Sequence, residues 1–97
     1  MALVPMAFKE SPIKTISINT TSSANGNIEL NLSYTVGVPL ACQVKANGVN
    51  AYAIIGRWSD AETGHWGAKI VNELNTNGQV MSIANTSISG TLYYIEL

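Results

Sequence analysis

Both tryptophans, the only arginine and the only histidine of the chain fall within ten residues, from Arg57 to Trp66. Asp60 and Glu62 lie between them, so Arg57, Trp58, Asp60, Glu62, His65 and Trp66 form one dense group. A tryptophan offers a flat apolar face to a sugar ring or to a partner's side chain. Arg57 and the two carboxylates supply charged hydrogen bonds to hydroxyls or amides. Two carboxylates can also work as acid and base at a glycosidic bond, but only from opposite sides of it in a deep cleft. A chain of 97 residues walls such a cleft with difficulty. His65 with Asp60 or Glu62 makes a weak, non-specific ligand set, because catalytic and structural metal centres draw on three or four protein ligands. A serine–histidine–acid triad has no nucleophile elbow or other fixed context to support it. The six residues are therefore read as ligand-binding, with no catalytic residue, no metal and no cofactor. The competing reading is structural, with Trp58 ending a strand and Trp66 closing the end of a β-domain.

Composition narrows the ligand. Apolar residues make up 46% of the chain and charged residues 11%, against about 25% charged in a typical soluble domain. Asn, Ser and Thr fill 27 positions in their place, and the β-branched and aromatic content is that of an ordered chain. Net charge is −1, with the charges spread singly. No basic patch exists to neutralise phosphates, which argues against nucleic acid. The same lack argues against electrostatic attachment to anionic lipid. A near-neutral surface resists aggregation poorly, and this points to burial in an oligomer or particle. Cys42 stands alone, so no internal disulfide forms, and it reads as a small buried apolar residue. No run is long enough to insert in a membrane, and the apolar start lacks the basic region of a signal peptide.

The elements that must position the group alternate with period two. Ile28, Leu30, Leu32 and Tyr34 alternate with polar residues as a half-buried strand. Val38, Leu40, Cys42, Val44 and Ala46 do the same, with Pro39 marking an edge or a strand start. Asn47-Gly48 follows at once. Both residues tolerate the positive φ of a type I′ turn, so 40–46 and 49–58 are expected to form a hairpin. Further strands are expected at 13–19, with Ile16 and Ile18 inward, at 68–74, and at 79–84 after a turn at 75–78. The C-terminal run from Leu92 to Leu97 is apolar on both faces, as in a central or covered strand. Tyr93 and Tyr94 then point to opposite faces. Residues 59–67 are the one segment that reads as a long loop. The expected fold is all-β: a single small antiparallel β-sandwich or jelly-roll-like domain of six to eight short strands over 13–97. Residues 1–12 are read as an N-terminal extension or docking segment.

The order of these segments resembles a known family. The strand Ile16-Ser17-Ile18-Asn19-Thr20 leads through Ser22-Ser23-Ala24-Asn25-Gly26 to a strand over 27–32. Val38-Pro39-Leu40 and the small-residue strand Ala51-Tyr52-Ala53-Ile54-Ile55-Gly56 follow, then an aromatic loop, then Ser87-Ile88-Ser89-Gly90-Thr91-Leu92-Tyr93-Tyr94-Ile95. Together they resemble the small β-sandwich modules at the tips of phage and prophage tail fibres of gut bacteria. The resemblance covers residues 13–97. It implies a homo-oligomer, a trimer, on the virion surface beside other virion proteins, contacting a host cell-surface glycan. No catalytic residue is carried over by it. The alternatives are a free-standing carbohydrate-binding module and a capsid decoration or connector protein.

Overall fold

The computed structural model describes residues 13–58, 61–72 and 81–97. The extension at 1–12, Asp60 and the turn expected at 75–78 lie outside the described residues. Six strands run in chain order: β1 (Ile13–Thr21), β2 (Asn27–Ser33), β3 (Gly37–Ala46), β4 (Val49–Gly56), β5 (His65–Val71) and β6 (Ser87–Glu96). They form one sheet in the order β1-β6-β3-β4-β5-β2, every neighbouring pair antiparallel. The sheet curls until its edges β1 and β2 approach each other, a nearly closed barrel. A cleft of about 210 Å³ between residues 17–20 and 29–31 marks the seam. The all-β antiparallel class is as expected, and no helix occurs among the described residues.

The inward positions follow the alternation. Ile18 of β1, Ile28, Leu30 and Leu32 of β2, Val44 and Ala46 of β3, Ala68 and Ile70 of β5, and Ile88 and Leu92 of β6 fill the interior. Ile16 and Cys42 pack against them as expected, and so does Tyr94, while Tyr93 lies in the opposite row beside Ala41 and Thr15. β6 is central, between β1 and β3. Asn47 and Gly48 have φ of 50° and 83°, the two left-handed residues a type I′ hairpin requires. Gly90 sits opposite Val44, where any Cβ would collide with the Gln43 carbonyl oxygen.

Four expectations need correcting. Val38 and Leu40 are not inward: they are 42% and 48% exposed. A register shift between Pro39 and Ala41 inserts an extra residue against β6, and such a bulge reverses which face the residues before it present. β4 ends at Gly56, before Trp58. β5 starts at His65 rather than at residue 68 and ends at Val71, so the last three residues of the expected loop belong to the strand. The strand expected at 79–84 is reduced, among its described residues, to a single bridge from Ser82 to Val71. Backbone bonds from Ile83 to Ile70 and Asn85 to Ser23 fasten this stretch across β5 and the β1–β2 turn. Ser22, buried at that turn, accepts from the Thr86 amide and donates to the Ile83 carbonyl.

Candidate functional site

The start of β5 alternates like any half-buried strand. Trp66, Ala68 and Ile70 face in, while His65, Gly67 and Lys69 face out. This single fact divides the candidate residues into two groups on opposite sides of one strand.

The inward group closes one end of the barrel. Trp66 packs against the core and donates its indole N–H to the Gly37 carbonyl at 3.1 Å. Tyr34, just past β2, meets Trp66 edge to face with ring centroids 4.9 Å apart, the arrangement that sets a positive ring edge against a negative face. Arg57, just past β4 and exposed, holds its guanidinium carbon 4.2 Å from the Tyr34 centroid and 5.5 Å from that of Trp66. The cation thus rests on the ring pair, with its charge open to solvent.

The outward group lies on glycines. Gly56 and Gly67 are paired across β4 and β5, and Trp58 folds back over both. Its indole N–H donates to the Ile54 carbonyl at 2.9 Å, and the Lys69 ammonium stands 5.2 Å from its ring centroid. A turn with Gly64 at φ 86° brings Glu62 round beside His65. Glu29 of β2 anchors the turn. Its Oε1 accepts the Glu62 amide at 2.8 Å, and its Oε2 lies 2.8 Å from His65 Nδ1. Glu62 Oε2 lies 3.1 Å from the same nitrogen. The hydrogen bond to Glu29 raises the His65 pKa, and the bonds from His65 and the Glu62 amide lower that of Glu29. The pair therefore favours an imidazolium donating to a carboxylate. A general acid needs the opposite shift, so Glu29 is unsuited to that role. Glu29, Glu62 and His65 offer one ligand atom each within 4.8 Å and are the set among the described residues that could hold a cation.

No protein-family model matches the chain, and no curated protein or solved structure is significantly similar to it. The site is read from its geometry alone. The structure joins Arg57 with Trp66, and His65 with Glu62, and carries Trp58 on the opposite face of β5 from Trp66, over Gly56 and Gly67. Asp60 lies outside the described residues. Tyr34, Glu29 and Lys69 complete the groups and are not among the six candidates named from the sequence. Tyr34 carried a signal, as the last member of the alternation that begins at Ile28. Glu29 carried none, since its role depends on pairing with a strand 36 residues away. Cys42 is half-buried, and burial pushes its thiol up to about 11; it serves as packing.

Proposed function

We propose that the chain is a virion structural protein of the phage or prophage tail-fibre-tip type, which self-associates and binds a host-surface glycan. The observation that carries this reading is the barrel end, where Arg57 rests on Tyr34 and Trp66 and Trp58 lies nearby on the outer face. An exposed guanidinium set among half-buried aromatic rings fits a polyhydroxylated ligand: the arginine donates to its oxygens, and the ring surface left open beside it packs on apolar C–H groups. Viewed as a sandwich, β1-β6-β3 would form one layer and β4-β5-β2 the other, with β4 turning the corner between them. Self-association draws on the outer row Ile13–Ile95–Val38, joined by the bulged Leu40. Ile13, Val38 and Leu40 each expose between 42% and 49% of their surface, and few charges surround them to keep copies apart. A trimer is the form proposed.

The test is binding of the labelled chain to a glycan array and to intact bacteria, compared with Arg57→Ala and Trp58→Ala. Saturable wild-type binding that falls at least tenfold in both variants is expected. Equal binding by all three removes the barrel end from the site. A free-standing carbohydrate-binding module would give the same array result as a monomer, so the oligomeric state separates the two readings.

A further inference from the structure

β3 and β4 pair only next to their hairpin, through Val44–Ala46 with Val49–Ala51. From Tyr52 onward β4 pairs with β5, while β3 stays with β6. The two strands therefore separate, and a groove of about 670 Å³ opens between them. That volume falls within the range of small-molecule sites, roughly 300–1,000 Å³. Its floor is made of small residues, Cys42, Val44, Ala51, Ala53 and Gly90. Across its mouth run two rows of polar side chains set by the register: Asn50–Lys45–Ser89, and Gln43–Thr91 beside Tyr52. Tyr52 is 49% exposed, so much of its surface is free to make contact.

We propose that this groove is a second binding site, separate from the barrel end, for a neutral oligosaccharide. The proposal rests on the glycan-binding reading above and adds a place that reading does not use. The chemistry selects the ligand. Carboxamides and hydroxyls both donate and accept, as a row of sugar hydroxyls requires, and Tyr52 supplies a flat face for one pyranose ring. Lys45 is the one charged side chain in the lining, too little for a nucleotide's phosphates. An extended peptide would have to add as a strand along the β3 edge that β4 leaves unpaired, residues 37–43. There Pro39 has no N–H to donate and the bulge between Pro39 and Ala41 interrupts the ladder.

The experiment is an amide-resonance NMR titration of the full chain with chitotetraose, maltotetraose, isomaltotetraose and mannotetraose, each to millimolar concentration. Saturable shifts at Gln43, Asn50, Tyr52 and Thr91 are expected with at least one sugar. Affinity read from these groove resonances should fall at least tenfold in Tyr52→Ala and in Asn50→Ala. Mapping on the wild-type chain keeps the test decisive if a variant fails to fold. Saturable shifts confined to Arg57, Trp58 and Tyr34 would overturn the groove and leave the barrel-end reading intact. Shifts with no sugar at either place would overturn both. Sugar-independent shifts at Gln43, Asn50, Tyr52 and Thr91 that grow with protein concentration would show that a second copy fills the groove, and would also overturn it.

Discussion

One nitrogen of His65 faces two carboxylate oxygens, and only a proton there makes the arrangement attractive. Because the folded pKa of His65 is raised, its contribution to stability is full below the unfolded value of about 6.5 and is lost as pH rises through the folded value. Glu29 has a lowered pKa, so its contribution is present above the unfolded carboxylate value and is lost as pH falls through the folded one. The turn at 61–64 should be held most firmly between these limits. An NMR titration of the imidazole should show a pKa above the ordinary histidine value, returning toward it in Glu29→Gln; a normal value in the wild-type chain would contradict the pairing. The tryptophans differ in kind. Trp66 packs on the core, so Trp66→Ala should cost about 3–5 kcal/mol in denaturant unfolding. Trp58 lies outside on Gly56 and Gly67, and Trp58→Ala should cost less than about 1.5 kcal/mol. Equal costs would mean that both are structural.

At the level of strands, legibility followed locality. The β3–β4 hairpin could be read because Asn47 and Gly48 carry its geometry themselves. The β2 alternation could be read because Ile28, Leu30 and Leu32 lie on one face of one segment. The bulge beside Leu40 could not, since it exists only in the match between β3 and β6. The start of β5 was hidden for a different reason: His65 and Gly67 look like loop residues, although Trp66, Ala68 and Ile70 already show the period of a strand. Gly90 illustrates the same limit. Its neighbours mark a strand, but the need for glycine appears only when Gln43 is found against it. Gly90→Ala should lower stability by about 1–3 kcal/mol or more, because backbone atoms of β3 cannot move aside as a flexible side chain would. A chemical melt showing less than about 0.5 kcal/mol would contradict that register.

For the whole molecule, a curled sheet buries one face and leaves the other to interact. The exposed apolar residues Ile13, Val38 and Leu40 sit on the outer face of β1 and β3, and the chain carries little charge to oppose association. Light scattering at micromolar concentration should give the mass of three chains. Val38→Lys with Leu40→Lys should shift it to one, with the fold retained by circular dichroism. A wild-type monomer would favour the free-standing binding module. The most direct test of the central claim is a tryptophan-fluorescence titration with purified bacterial surface polysaccharides. The account predicts a saturable change with at least one of them, weakened at least tenfold by Arg57→Ala. A saturable change that Arg57→Ala and Trp58→Ala both leave intact would contradict it.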